Sequence, residues 1–426
     1  MTRTKLMALS AALGLTFSGA ARAEEPGTFK VPGTDTTVKV YGYVQLDTTY
    51  DFNGRTTNID GLDWASFVAV QPFNNATPQH QLYMTARTSR FGLTTSTPSS
   101  LGLVGTKLEG DFNSPSPDDY SSGLSTNGVT FRLRHAYGTV TGAAGQVLVG
   151  QTWSNFMDLD AFPDTVDFNV VGAVTELRQP QIRSTYASGP STVSVAVENS
   201  WSRLFGGTAT GFAGIPGAGN GDGTDLYSLV PDLTARYSYG GGWGHVSAQG
   251  VLLSYHDFVH SFDKVGYGGG LSGDFKFLGD QLVWGAQGGV GMGRYIFNTF
   301  LQSGVDDGTG IRLWDSLSYW AGFTHVWSPA FRSNVIVSQT FIKPDEDAAG
   351  GVPLAAFVRG APNSGVRGSA IDPNKRLDEV AVNSFYTLTK NVEVGVEYHY
   401  GKRVTFYEGD EGMQHRLNGT FHVNFF

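Results

Sequence analysis

Two arginines could form a binding surface for carboxylates. In the segment VTFRLRHAYGTVT at 129–141, Arg132 and Arg134 alternate with Phe131, Leu133 and Tyr137, so a β-strand would place both guanidinium groups on one face. If the strand crosses a membrane, the opposite phase would leave both in lipid, at a cost of about 2–4 kcal/mol each near the midplane. Because guanidinium binds carboxylate through two parallel hydrogen bonds, the pair predicts a water-facing wall able to hold organic anions.

Neighbouring segments add charges in the same phase. Lys107, Glu109 and Asp111 share one parity in LVGTKLEGDF, and Arg183 is in phase with polar neighbours in the segment from 178. A narrow pore focuses the field of such charges. Two interpretations stay open: the arginines set which ions pass, or they are ordinary wall residues paired with Glu109 or Asp111.

Arg87 and Arg90 lie on opposite parities of LYMTARTSRFGLTTS. A regular strand cannot direct both side chains inward. Either a bulge intervenes, or one of the two lies at an interface and extends its charge toward water.

The connection after the predicted strand at 145–156, with the sequence NFMDLDAFPDTVDFNVVGAV, combines acidic and aromatic residues. Its apolar content is high for a solvated loop, which predicts a third extracellular loop that folds into the barrel and faces its carboxylates toward Arg132, Arg134 and Arg183. The alternative is a solvated outer loop. The aspartates concerned are Asp158, Asp160, Asp164 and Asp167.

These residues need strands to position them, and the sequence has the periodicity that strands show. Apolar and polar residues alternate with period two, as in NVEVGVEYHY at 391–400, which is the pattern of strands rather than helices. About sixteen such segments are predicted, an even number typical of a bacterial barrel. They lie near 38–50, 81–96, 101–112, 129–141, 145–156, 178–189, 190–202, 229–240, 242–256, 265–279, 281–297, 314–327, 331–343, 376–389, 391–406 and 413–426.

The connections are alternately short and long. Short ones such as GAAG at 142–145 predict periplasmic turns, and long ones such as 51–80, 203–228 and 344–375 predict extracellular loops. The fold expected is therefore an all-β, transmembrane antiparallel β-barrel in the bacterial outer membrane, in contact with lipid and lipopolysaccharide.

The start of the chain is typical of an export signal. Residues 1–23 have a basic start, an apolar run and small residues before a cleavage site after Ala23. A short segment at 24–37 and a barrel at 38–426 would follow. No later run reaches the roughly 18 apolar residues of a membrane helix, so a membrane-spanning mature chain must be a barrel.

Composition excludes several functions. Removing Arg3, Lys5 and Arg22 with the signal lowers the formal net charge from −9 to −12, which argues against a nucleic-acid partner. There is no cysteine, and the sequence contains no HExxH, CxxC or GxSxG motif. We therefore expect no cofactor, no metal site and no enzymatic activity; a barrel-embedded hydrolase would need a nucleophile and base pair that these motifs do not supply.

Seven segments resemble the DcaP-like trimeric outer-membrane transporters. They span roughly the first half of the mature chain, at 29–52, 87–98, 107–112, 133–138, 149–158, 162–169 and 178–183. The resemblance implies a homotrimer of sixteen-stranded barrels with an inward-folded third loop and a lumen that favours dicarboxylates and other small anions. It also implies that Arg132, Arg134 and Arg183 contact the anion. A general or cation-preferring porin is the alternative, which the acidic composition favours.

Overall fold

The structure is a computed structural model of one chain. It describes residues 25–53, 80–114, 130–168, 171–200, 203–206, 228–257, 261–299, 302–306, 310–343, 374–405 and 411–426. The predicted signal at 1–23 and most of the three longest predicted loops lie outside the described residues.

The described chain is almost entirely extended. Its strands, numbered in chain order, are β1 Thr28–Lys30, β2 Thr37–Asn53, β3 Gln81–Thr85, β4 Arg90–Ser99, β5 Gly102–Ser114, β6 Thr130–Gly142, β7 Gly145–Trp153, β8 Arg178–Ser188, β9 Ser191–Glu198, β10 Arg203–Gly206, β11 Asp232–Gly241, β12 Gly244–Asp257, β13 Phe262–Phe277, β14 Asp280–Val290, β15 Gln302–Asp306, β16 Ile311–Leu313, β17 Asp315–Ser328, β18 Phe331–Lys343, β19 Asn374–Thr389, β20 Val392–Thr405 and β21 Glu411–Asn424. Short 3₁₀ turns occupy Leu159–Ala161, Gly293–Tyr295 and Phe297–Thr299.

Sixteen antiparallel strands close into a barrel. Each pairs with its neighbour along the chain, and β2 closes the ring by pairing with β21 from Tyr43 opposite Asn424 to Asn53 opposite His415. β3 and β4 count as one interrupted strand because both pair with β2. Closure leaves no unpaired edge, which a strand structure in lipid requires. The short strands β10, β15 and β16 form a separate sheet.

No helix among the described residues is long and apolar enough to cross a membrane.

The predicted strands are confirmed, with two of their ends corrected. Each of the sixteen segments corresponds to a strand of the barrel. The segment at 145–156 was too long, because β7 ends at Trp153, and so was the segment at 281–297. β14 ends at Val290, and Met292 and Tyr295, expected in a strand, are 1% and 0% exposed inside the barrel. Gly291 adopts a φ of 68° and turns the chain inward, which alternation alone does not predict.

Short turns lie at one end of the barrel, as expected. Two-residue connections join β6 to β7, β8 to β9, β13 to β14 and β19 to β20. This end is periplasmic, and the other end carries the long connections.

Two segments fill part of the lumen. The third loop, residues 154–177, packs Val171, Ala173 and Val174 against Trp320 and Leu377 of the wall. It is therefore folded inward, as predicted.

The second inward segment, residues 291–299, was not predicted. The Phe297 amide donates to the Val174 carbonyl at 3.0 Å, and Tyr295 meets Phe156 edge-to-face at 5.6 Å. The two segments thus form one packed body, which lies against the β12–β19 part of the wall.

Gly285 leaves room for the ring of Trp320, which donates to the Ala161 carbonyl at 3.0 Å. A Cβ at Gly285 would lie 2.2 Å from that ring. We expect Gly285→Ala to displace the indole and lower the free energy of unfolding by about 1–3 kcal/mol, measured in urea by electrophoretic mobility. Gly250→Ala, whose Cβ would come no closer than 3.8 Å to another atom, should have little effect; equal stability of the two variants would contradict the packing role.

Candidate pore constriction

A bulge in β6 directs two adjacent side chains into the lumen. Glu109 of β5 pairs with His135, and Gly110 pairs with Leu133, so Arg134 is the extra residue. Arg134 and His135 are each 5% exposed, whereas Leu133 is 43% exposed toward lipid. A bulge inserts one residue and shifts the alternation of the strand.

The same shift corrects one assignment. Tyr137 was expected on the lipid side with Phe131 and Leu133. It lies directly opposite Lys107, whose side chain faces the lumen, and paired residues project to the same face. Tyr137 therefore faces the lumen.

The arginines of β6 are held by the two acids of β5. Arg132 binds Asp111 in bidentate fashion, with both N···O distances 2.8 Å. Arg134 donates from Nε to Glu109 at 3.0 Å and from Nη1 to Asp111 at 2.8 Å. Each arginine is thus fixed in position by a charge-assisted hydrogen bond.

Glu109 gathers further cations and a tyrosine. Lys107 approaches it at 3.2 Å and Arg90 at 3.6 Å, and the Tyr41 hydroxyl donates to it at 2.8 Å. Arg90 also lies 5.3 Å from the centroid of the Tyr43 ring. Cations here outnumber the carboxylates that orient them.

Arg87 and Arg90 have opposite parity in the sequence, and an irregularity between β3 and β4 places both on the same side. This is the bulge that the sequence allowed as one of two explanations. Tyr43 pairs with Arg90 and Asp47 with Thr85, so four residues of the interrupted strand oppose three of β2. Arg87 is 5% exposed. Both arginines therefore lie on the inner side.

Arg178, which the sequence reasoning missed, completes the cluster. Its guanidinium lies 4.4 Å from the centroid of the Trp153 ring, and the guanidinium of Arg134 lies 5.9 Å from the same centroid. Among the described residues no carboxylate lies within ion-pair distance of Arg178, and its buried Nη1 has no hydrogen-bond partner. It interacts repulsively with Arg134, Arg132 and Arg90. We call these cations the basic wall: Arg90, Lys107, Arg132, Arg134 and Arg178.

Arg183 lies deeper along the same side. It donates to Gln181 Oε1 and to the Trp153 carbonyl, each at 2.8 Å, and interacts with Arg236 of β11. Arg236 in turn donates to the Met157 carbonyl at 2.8 Å. These two arginines therefore fix the start of the third loop, and Arg183 is separate from the acid-bound arginines of β6.

The predicted acidic residues of the third loop are engaged by other partners. Asp158 accepts from His245 Nε2 at 2.8 Å and from Ser272 Oγ at 2.6 Å. Asp164 is paired with Arg332 at 2.6 Å and accepts from Asn334 at 3.3 Å. Neither Asp158 nor Asp164 pairs with Arg132, Arg134 or Arg183, so the expected face-to-face arrangement is wrong for these two.

The other two aspartates differ in exposure. Asp160 is exposed in the 3₁₀ turn, whereas Asp167 is 7% exposed and its amide donates to Glu397 at 3.3 Å. The group that the loop presents to the basic wall is Phe168, which stacks on Trp153 at 5.6 Å and on Phe162 at 4.4 Å. The boundary between loop and wall is therefore aromatic.

Carboxylates of the wall hold the loop through its backbone. Glu397 accepts from the Val166 amide at 3.0 Å and from Asn383 and Asn418 at 2.9 and 3.1 Å. Glu379 accepts from the Gly172 amide at 3.1 Å. Such bonds satisfy polar groups in a dry site and fix the loop at a set distance from the basic wall.

A closed sixteen-stranded barrel whose third loop folds inward beside a wall of cations defines the porin class of outer-membrane protein. A profile of the DcaP outer membrane protein family matches residues 7–205 and 359–425. The chain belongs to the DcaP outer membrane protein family, and it is located in the bacterial outer membrane.

Known proteins of this class are similar to the chain. The crystal structure of the outer membrane channel DcaP of Acinetobacter baumannii is 25% identical, covers 93% of this chain and 99% of that one, and gives a TM-score of 0.71. Porin Omp2b of Brucella suis is 24% identical over 265 residues, which is 61% of this chain and 61% of the porin's own length. OmpF of Salmonella typhi, at 8% identity and a TM-score of 0.54 over 93% of this chain and all of that one, shares the fold.

The pairing of Asp158 predicts a dependence on pH. Burial raises the pKa of its carboxyl, but hydrogen bonds from His245 and Ser272 and the charges of His245 and Arg236 outweigh burial, so the pKa lies below its ordinary value. The stabilisation is thus complete above the unfolded pKa of about 3.9 and is lost as pH falls through the lower folded value. We expect single-channel conductance to be steady from pH 5 to 8.

Asp158→Asn should remove that stabilisation at every pH and give a noisier, larger conductance even at pH 7. Asp160→Asn, at the exposed position two residues further on, is the matched control. If both variants conduct like the parent protein at pH 7, the contact with His245 does not hold the loop.

Proposed function

We propose that this protein is a passive diffusion channel for small hydrophilic solutes that favours small organic anions such as dicarboxylates. The observation that carries the proposal is the surplus of cations in the basic wall. Its five cations face two carboxylates, Glu109 and Asp111, which leaves an excess of three positive charges. In a narrow aqueous passage bounded by low-dielectric walls, such an excess attracts anions.

The third loop does not cancel this excess. Asp158 is paired with His245 and Asp164 with Arg332, cations that also bind the wall carboxylates Asp274 and Glu393. Both aspartates are therefore engaged by partners outside the basic wall. Phe168, the described loop residue that stacks on Trp153, is uncharged. A transverse field between arginines and aspartates, which the sequence suggested, is therefore replaced by a field with one dominant sign.

Arg178 supports a binding role in particular. Stacking on Trp153 holds the guanidinium plane, and Arg134 lies against the same ring. A carboxylate entering here would accept a hydrogen bond from Arg178 Nη1, which no described side chain accepts. One carboxylate of a small diacid could contact Arg178 while the other contacts a second member of the basic wall.

The alternative is a general or cation-preferring porin. The predicted mature chain carries a formal net charge of −12, so acidic loops could draw cations to the mouth. The position of the charges decides between the two functions, because salt at physiological concentration screens the field of each charge beyond about 8 Å. The assembly proposed, from the family resemblance, is a homotrimer.

Replacing Arg178 by Gln should lower the anion-to-cation permeability ratio by roughly twofold or more. The reversal potential of the purified channel across a planar bilayer under a salt gradient measures it. Lys276→Gln, at an exposed position of β13, removes the same charge elsewhere and should leave the ratio unchanged. Cation preference of the unaltered protein would overturn the proposed function.

Arg132→Ala combined with Arg134→Ala should lower the anion preference further while the barrel still folds. Glu109 keeps Arg90 and Lys107 as partners, so one buried carboxylate retains its neutralising charges. Uptake of a dicarboxylate relative to a diamine into liposomes, together with heat-modifiable migration as the test of folding, measures both effects. An unchanged uptake ratio would remove these two arginines from the selective part of the pore.

A further inference from the structure

A row of polar side chains crosses the lipid-facing side of β17–β20. Tyr319, Gln339, Asp378 and Lys402 lie opposite one another in register on four adjacent strands. Each occupies an outward position, since the residues before and after it along its strand face inward. Below the row, the outward positions of the same strands are apolar, as at Val337 of β18 and Val380 of β19.

The row is connected by hydrogen bonds. The Tyr319 hydroxyl donates to Gln339, whose amide donates to Asp378. Arg376 holds the same aspartate from Nε at 2.8 Å and from Nη2 at 2.6 Å, and Lys402 pairs with Glu411 at 2.6 Å. The side chains are therefore held at fixed positions on the outer surface of the barrel.

The row lies near the extracellular ends of its strands. Gln339 is four residues from Lys343, the last residue of β18, which places it within roughly 10 Å of the barrel rim at the usual rise and tilt. Leu317 and Phe341 form the next outward pair above it, and Asp315 and Lys343 form the pair after that. This height corresponds to the boundary between acyl chains and headgroups of the outer leaflet.

Positive charge is in excess on this surface. Lys343, Arg376 and Lys402 project outward from three adjacent strands, and Lys375 beside them is exposed. Three acids, Asp315, Asp378 and Glu411, share the surface. A local positive excess contrasts with the acidic chain as a whole, and Arg376 keeps N–H donors beyond those used by Asp378.

We propose that this surface, made of Tyr319, Gln339, Lys343, Arg376, Asp378 and Lys402, binds the headgroup of lipopolysaccharide. That headgroup presents phosphates and sugar hydroxyls at the height of the row. Lysines and arginines near a membrane surface attract anionic headgroups, while the Tyr319, Gln339 and Asp378 groups match hydroxyls. Apolar residues below the row, such as Val337 and Val380, contact the acyl chains.

The test is the amount of lipopolysaccharide that stays bound to the full-length protein. The triple variant Lys343→Gln, Arg376→Gln, Lys402→Gln and the unaltered protein are purified from outer membranes, delipidated, and titrated with purified lipopolysaccharide under native mass spectrometry. We expect at least about tenfold weaker binding by the variant. Lipopolysaccharide lacking the lipid A phosphates should bind the unaltered protein as weakly as the intact lipid binds the variant.

Matched controls separate this effect from loss of folding. Lys30→Gln, Lys39→Gln, Lys276→Gln removes three cations outside the row and should bind like the unaltered protein. If the first variant does not fold, the single variant Lys402→Gln replaces it, with a smaller expected loss in the same direction. Binding equal to that of the unaltered protein would overturn the proposal, as would a variant whose subunits separate while each still binds the lipid, because the surface would then be a contact between copies.

Discussion

The closed ladder of backbone hydrogen bonds is the constraint on which the rest of the structure depends. Lipid offers no partner for a peptide group, so every strand needs two neighbours and the sheet must return to its first strand. β2 and β21 meet that requirement. Once the ring is closed, its sixteen strands enclose a lumen too wide to be filled by wall side chains, and loops must narrow it.

Alternation made the scaffold predictable from sequence, since lipid on one side and water on the other impose a period of two. The placement of Arg132, Lys107 and Glu109 on one wall followed from that rule alone. The rule does not predict the positions where a strand gains an extra residue or turns inward. The bulge at Arg134 and the inward turn at Gly291 each depend on tertiary contacts that period counting does not register.

The partners of charged groups were harder still to foresee. Asp158 and Asp164 were expected to face Arg132, Arg134 and Arg183, yet they bind His245 and Arg332 from the second half of the sequence. Such pairs depend on the path of the third loop through the lumen. Arg178 was overlooked because it begins a strand, where alternation carries least information; its signal was the aromatic Trp153 at the end of the preceding strand.

The way the third loop is fastened implies that the size and the selectivity of the pore respond differently to salt. Glu397 and Glu379 hold the loop through buried bonds from amides, and ions in solution screen such bonds little. Within the basic wall, Arg90 and Arg132 are partly exposed, and added ions in the water shield them. On the proposed function, concentrated salt would therefore leave the width of the passage as it is and weaken the selection of anions, so that size alone would govern entry in brine.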